Sequence, residues 1–227
     1  MKYRLFLVAL GLAVAFVSIA QKETRSLSSF TSISVGEAID AAIEAGSSEQ
    51  VIVEVDGTSP ENVITEVSGD ELRIHMKQSL RGYNNVDVKV WVTYKTIDEI
   101  DVSSAASLMT NGPIKADRLE VDVSSAGSAR LEVEVSELEV DISSAGNLKV
   151  VGTADEQDVE VSSSGDYEAF DLKSKMAIVE ANSAGSVKVF VTEKIDAEAN
   201  SGGSISYKGD PEKVYADSNS GGRVRRN

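Results

Sequence analysis

Residues 119–148 read LEVDVSSAGSARLEVEVSELEVDISSAGNL, and this stretch decides the fold. It holds two near-copies nineteen residues apart, LEVDVSSAG at 119–127 and LEVDISSAG at 138–146. In each copy an acid stands between two aliphatic residues: Asp122 between Val121 and Val123, and Asp141 between Val140 and Ile142. In–out–in alternation has the period of a β-strand with one buried face. The small polar run that follows ends on Gly127 or Gly146, which marks a sharp corner.

Working outward, the corner recurs seven times: VSSAAS from Val102, VSSAGS from Val123, ISSAGN from Ile142, VSSSGD from Val161, ANSAGS from Ala181, ANSGGS from Ala199 and SNSGGR from Ser218. Its first polar residues, Ser103, Ser124, Ser143, Ser162, Asn182, Asn200 and Asn219, are spaced 21, 19, 19, 20, 18 and 19 residues apart. A period near nineteen is too short for most helix-pair repeats and for propeller blades, and it suits one turn of a β-solenoid. The columns agree. Two residues before each corner polar residue lies an acid: Asp101, Asp122, Asp141, Glu160, Glu180, Glu198 and Asp217. Apolar columns flank these acids, from Ile100 and Val102 to Ala216 and Ser218. After each corner a second strand begins, with Leu108, Ala129, Leu148, Tyr167, Val187, Ile205 and Val224 pointing inward. Beside them, Met109, Arg130, Lys149, Glu168, Lys188, Ser206 and Arg225 point outward. Each turn then reads as strand, corner, strand and a variable return such as residues 153–156. Glycine fills one corner column, at 127, 146, 165, 185, 203 and 222, with Ala106 in the first corner. Either a positive φ or a close backbone approach accounts for that. The corner Ser and Asn side chains are expected to form a polar ladder along the axis.

The N-terminal third lacks the motif but alternates at Val51, Val53 and Val55, at Leu72, Ile74 and Met76, and at Val86, Val88, Val90 and Val92. Turn signals lie at 56–60, 68–70 and 82–85. About five strands are expected here, beginning the sheet and covering the solenoid's first open edge. Residues 38–45 have a helix-favouring composition, yet their place between strand-like segments favours strand. At the other end, Arg223, Arg225 and Arg226 are expected to block edge-to-edge growth by charge.

Residues 1–20, MKYRLFLVALGLAVAFVSIA, combine basic Lys2 and Arg4, an uncharged apolar run and small Ser18 and Ala20 before Gln21. This is the pattern of a secretory signal peptide. The apolar run is short for a membrane anchor, and no cysteine follows it to carry a lipid. Cleavage removes two positive charges from a net −15 and leaves −17. The expected organisation is signal peptide 1–20, linker 21–29 and one domain over 30–224, divided into N-terminal strands 30–95 and repeats 96–224. No anchor or sorting domain is recognisable after the last repeat, which favours periplasm or free secretion over covalent surface display.

Composition narrows the chemistry. With no cysteine there is no disulfide scaffold, thiolate zinc site or thiol nucleophile. An excess of 37 acids over 22 bases disfavours nucleic acid, whose phosphates need clustered Lys and Arg. A hydrophobic share of 41% is too high for a disordered acidic tail.

The S-[SN]-[AG]-G corners, the C-terminal SGGSISYKGDPEKVYADSNSGGRV of 201–224, the opening FTSISVGEAIDAAIEAG and the stretch VDGTSPENVITEVSGDELRIHMK resemble the head GIN domain family. This is the group of auto-transporter adhesins common in exported Bacteroidetes proteins. Tyr207, Gly209 and Pro211 match its Y-x-G-x-P step between two corners. The resemblance runs from Phe30 to Val224. It implies a right-handed parallel β-solenoid and an extracytoplasmic location, and it supplies no catalytic or ligand residues.

The residues themselves favour a noncatalytic module. No Gly-x-Ser-x-Gly elbow occurs, and the corner serines recur in every turn, whereas a nucleophile is singular and needs a positioned base. His75, the one histidine, alternates with Ile74 and Met76 and is expected at the surface. The acid column, joined by Glu99, Glu120, Glu139, Asp158 and Asp196 two residues upstream, gathers twelve of the 37 acids on one outer face. Its bland reading is a solvated face that resists aggregation. Its sharper reading is a low-affinity Ca²⁺ face, the one metal and cofactor candidate, although the Gly-Gly-x-Gly-x-Asp nonapeptide of Ca²⁺-binding solenoids is missing. The outer column of Arg130, Lys149 and Lys188, broken by Glu168, either pairs with neighbouring acids or meets a polyanionic glycan. The expectation is therefore an all-β, parallel solenoid that binds a glycan or envelope component. The alternatives are a carbohydrate-active β-helix enzyme, disfavoured by few aromatics and a single Trp91, and a purely structural envelope protein. The ligand and the oligomeric state stay open.

Overall fold

The computed structural model describes residues 21–77 and 86–227. The expected signal peptide at 1–20 and the expected turn at 82–85 lie outside the described residues. Seven strands precede the repeats: β1 (Gln21–Ser26), β2 (Ser32–Val35), β3 (Asp40–Ala45), β4 (Gln50–Asp56), β5 (Val63–Ser68), β6 (Glu71–Met76) and β7 (Asp87–Tyr94). Ten follow: β8 (Glu99–Val102), β9 (Ser107–Thr110), β10 (Ile114–Val123), β11 (Ser128–Ile142), β12 (Asn147–Val161), β13 (Asp166–Ala181), β14 (Ser186–Ala199), β15 (Ser204–Lys208), β16 (Lys213–Ser218) and β17 (Arg223–Arg226). All belong to one 17-stranded sheet coiled as a β-solenoid.

Two faces run the length of the coil. On one, β6, β2, β8, the C-terminal halves of β10 to β14, and β16 stack in parallel. On the other, β7, β3, β9, the N-terminal halves of β11 to β14, and then β15 and β17 do so. The return between the faces is itself paired strand in the central turns: Glu134 aligns with Thr153, and Glu137 with Glu156. The expected variable loop is thus replaced by continuous ladder, and the strand breaks only at the corner.

The corner has one backbone solution. Ser125 (φ 50°) and Ala126 (φ 61°) are both left-handed, and the Gly127 N–H donates to Ser124 O at 2.7 Å. Two positive φ values and this closing bond are the signature of a type I′ turn. Left-handed non-glycine residues cost roughly 1–2 kcal/mol each, and stacking offsets that cost. The Ala126 N–H donates to Ser144 O at 3.0 Å, and Ala145 to Ser163 O at 3.1 Å, so the ladder along the corners is backbone rather than the expected Ser and Asn side chains. The glycine column has the second of its two possible causes. Gly127 does not have a positive φ, but a Cβ there would sit 2.3 Å from Val102 O in the preceding turn. Only hydrogen fits that approach.

The inward columns are buried as expected for six turns. Ile100, Val121, Val140, Val159, Val179 and Ala197 are all inaccessible, as are Leu108, Ala129, Leu148, Tyr167, Val187 and Ile205. The β13 turn carries an extra residue, absorbed by register shifts near Lys149 and Ala169. There Gln157 Nε2 donates to Ser174 Oγ at 2.7 Å, Tyr167 Oη donates to Gln157 Oε1 at 3.2 Å, and Ser174 Oγ donates to Phe190 O at 2.8 Å. Gln157 and Ser174 occupy inward positions in register with Leu138 and Ala154, and these bonds satisfy their polar groups.

The N-terminal region is more than an edge cover. Residues 40–45 form β3, parallel to both β7 and β9, as the strand reading expected. Glu37 (φ 59°) and Ala38 (φ 58°) repeat the left-handed pair, and Ala38 N–H donates to Ser104 O at 3.0 Å. An eighth corner therefore starts the stack, disguised as Gly36-Glu37-Ala38-Ile39. The stretch expected as a linker contains β1, antiparallel to β4, which is antiparallel to β7. Arg25 of β1 fastens the end: its guanidinium donates to Val63 O and Pro60 O, both at 2.7 Å, and to Thr65 Oγ1 at 2.9 Å. These bonds tie the β1 face to the β5–β6 hairpin on the other.

The last turn departs from the inward pattern. Val214 is 46% exposed, all of β16 is exposed and Val224 is only half-buried. Nothing among the described residues stacks on these strands, so inward-pointing side chains there look out of the end of the coil.

Candidate functional site

The seven acids lie in unbroken register. Asp101 aligns with Asp122, Asp122 with Asp141, Asp141 with Glu160, Glu160 with Glu180, Glu180 with Glu198, and Glu198 with Asp217. The second column aligns from Glu99 through Glu120 and Glu139 to Asp158, and then Ile178 interrupts it before Asp196. Carboxylates stacked at ~4.8 Å repel. The cost shows at Asp122, where desolvation first, then Asp141 and Asp101, push the carboxyl up to about 6. Desolvation, with Glu71 and Glu99, also raises Asp101, and desolvation with Glu139 raises Asp158. A depression of about 280 Å³ lies here, lined by Glu120, Asp122, Glu139, Asp141, Asp158 and Glu160. Arg118 reaches in to Glu139 and to Glu137. Among the described residues no three His, Cys, Asp or Glu side chains are grouped to hold a metal ion. The arrangement is a repeating carboxylate surface.

The opposite outer face is different. Met109, Arg130, Lys149, Glu168, Lys188, Ser206 and Arg225 align across β9, β11, β12, β13, β14, β15 and β17, as the sequence columns predict. Glu168 does not merely interrupt the cations. Its carboxylate accepts from Lys188 Nζ at 3.0 Å, which holds it below the usual range. Arg225 Nε donates to Ser206 Oγ at 2.8 Å and covers it. Among the described residues Arg130 and Lys149 have no carboxylate within ion-pair distance. On the N-terminal side, β9 pairs with β3 and β3 with β7, which continues the row through Ala42 to Trp91. Small Ala42 between Trp91 and the 47%-exposed Met109 leaves a notch of about 270 Å³, which Arg130 also lines. A second depression of about 250 Å³ continues past Arg130 and Glu132 to Lys149 and Val151. Lys22 Nζ lies 5.0 Å from the Trp91 ring centroid, a cation–π contact.

The sequence columns place Met109 in this row but not Trp91 or Ala42, because β3 and β7 lie far apart in the chain and meet only through the N-terminal corner. Half-exposed His75 places Nε2 3.9 Å from Glu66 Oε1 on the β5–β6 hairpin, at the N-terminal end of the acid-bearing face. No helix among the described residues is long and apolar enough to cross a membrane.

Solved structures share this architecture. A "putative adhesin" from Bacteroides fragilis superposes with a TM-score of 0.82 at 18% identity, covering 92% of this chain and 97% of its own. A "putative lipid binding protein" from Parabacteroides distasonis gives 0.72 at 24%, covering 92% and 96%. A "putative adhesin" from Parabacteroides merdae gives 0.71 at 20%, with the same coverage. At these identities the likeness is one of fold. None of the curated proteins matches. The family model described as "Putative auto-transporter adhesin, head GIN domain" matches residues 29–211, and the chain belongs to that family.

Proposed function

We propose that this protein is a noncatalytic binding module of adhesion type that works outside the cytoplasm, in the periplasm or secreted from a Bacteroidetes-like cell, and binds a glycan or another envelope component. The observation that carries this reading is that outer side chains stand in long rows set by the stacked turns. Seven carboxylates stand in register on one face, and a row of mixed apolar, charged and polar side chains stands on the other. A long row suits an extended ligand, whereas catalysis concentrates a few groups at one point. The family's adhesin description and the signal-like pattern of residues 1–20 support the same reading.

A glycan array on the secreted protein, run beside a turnover screen on acidic polysaccharides, tests it. The proposal expects binding without product. Product formation would make the protein a β-helix enzyme, and neither binding nor product would leave a structural role. N-terminal sequencing of the exported protein is expected to begin at Gln21.

A further inference from the structure

Resting on the binding-module reading, we infer that the groove from Trp91 to Lys149 is the ligand site and that it takes a uronate-bearing oligosaccharide. Three observations converge there. The first is shape. Trp91 and Met109 wall a notch floored by Ala42, an apolar ledge that accepts the C–H face of a pyranose ring, while the Ser107 hydroxyl and the Asp40 carboxylate beside it offer partners for sugar hydroxyls.

The second is charge. Arg130 and Lys149 are in register, and among the described residues neither has a carboxylate within ion-pair distance. Lys149 stands in register with Glu168, whose carboxylate is held by Lys188, so in a chain of net charge −15 these two adjacent cations keep their heads open to an outside partner. A ligand carboxylate is such a partner, and the planar guanidinium suits a bidentate contact. The acid face at β8 to β14 repels the same ligand and disfavours that side of the coil, while within the groove Asp40 and Glu132 leave the ligand carboxylate to Arg130 and Lys149.

The third is length. The two depressions share Arg130 and span β7, β3, β9, β11 and β12, four interstrand steps or about 19 Å. That exceeds one sugar ring and fits a short oligomer lying along the solenoid axis.

Trp91 is the single tryptophan, so its emission reports on the groove directly. Hexagalacturonate, cellohexaose and phosphatidylglycerol vesicles are titrated against the protein, followed by fluorescence and calorimetry. Variants are Trp91→Ala, Arg130→Glu and the distant control Lys213→Gln in exposed β16, with melting curves confirming that each is folded. The expected result is saturable change in Trp91 emission with hexagalacturonate and at least about tenfold weaker binding of cellohexaose. By calorimetry, Arg130→Glu is expected to weaken uronate binding about tenfold or more, Trp91→Ala to weaken it substantially, and the control to leave it unchanged. Calorimetric binding of the uronate with silent Trp91 emission and no effect of either groove variant overturns this site assignment and leaves the binding-module reading intact. Binding of vesicles without the oligosaccharide overturns the ligand class. Array ligands that bind while the uronate does not overturn the inference alone. Absence of binding to every array glycan and to all three probes overturns both.

Discussion

The two ends of the coil are built from the same repeat and come out differently. At the N-terminal end, β1, β4 and the β5–β6 hairpin extend the two faces, and Arg25 bolts one to the other. The column that holds glycine in later corners holds Ile39 there, fully buried. At the C-terminal end, β16 and β17 keep the parallel register, yet inward-pointing Val214 is 46% exposed. An inward-pointing side chain becomes core only when another turn or a cap lies on both sides of it. The alternation fixes direction, and the neighbours decide burial. The groove from Trp91 to Lys149 lies next to the sealed end, where rigid strands hold its side chains in place.

The largest expected contrast comes from one substitution made at both ends. Val140→Lys buries an unpaired charge between Val121 and Val159. It is expected to cost more than about 3 kcal/mol in urea denaturation, or to prevent folding. Val214→Lys occupies an inward position in the open turn and is expected to change stability by less than about 0.5 kcal/mol. Next comes the glycine column. Gly146→Ala places a Cβ 2.3 Å from Val123 O between well-packed turns, and Gly222→Ala places one 2.0 Å from Ala199 O in the terminal turn. The closer contact is expected to be the cheaper one, because the end turn can shift. About 2–4 kcal/mol is expected for the first and under about 1 kcal/mol for the second.

Arg25→Ala removes the bolt. Loss of charge-assisted bonds to two carbonyls and a hydroxyl is expected to cost about 2 kcal/mol and to raise protease sensitivity in β1 before any other strand. The smallest effect belongs to the acid ladder. Asp122 titrates near 6 in the fold against an ordinary 3.8, so the folded state binds more protons than the unfolded state between these values. Stability therefore rises as pH falls from 8 toward 5. The lowered Glu23, Glu49 and Glu168 act in the opposite sense, but only as pH falls through the ordinary carboxylate range. Asp122→Asn is expected to stabilise at pH 8 by about 1 kcal/mol, after allowance for solvent screening, and to flatten the dependence on pH.

Most of the coil was legible because its signals are local and repeated. The acid columns, the inward columns and the corner positions all follow from period-two alternation around a small motif. The parts that escaped are non-local or disguised. Gly36-Glu37-Ala38-Ile39 shares the corner's dihedrals but almost none of its letters, because the corner needs two left-handed residues and here buried Ile39 takes the glycine position. Residues 21–26 look like linker, since they are exposed and polar. Their strand exists through pairing with β4, and Arg25 finds its partners about 40 residues away. The groove was half legible. Arg130 and Lys149 fall in a repeat column, whereas Trp91 and Ala42 join that row only through the parallel pairing of β3 with β7 and β9. The salt bridge that occupies Glu168 and Lys188, and so singles out Arg130 and Lys149, depends on side-chain reach that periodicity does not encode.

Hydrogen exchange on the protein alone and with hexagalacturonate tests both halves of the account together. The prediction is slow exchange in β3, β7 and β9, further slowed by the oligosaccharide, with fast exchange in β16 and β17 that the ligand leaves unchanged. Protection of β16 and β17 equal to that of β3 and β7, or ligand-induced protection confined to the acid face, would contradict it.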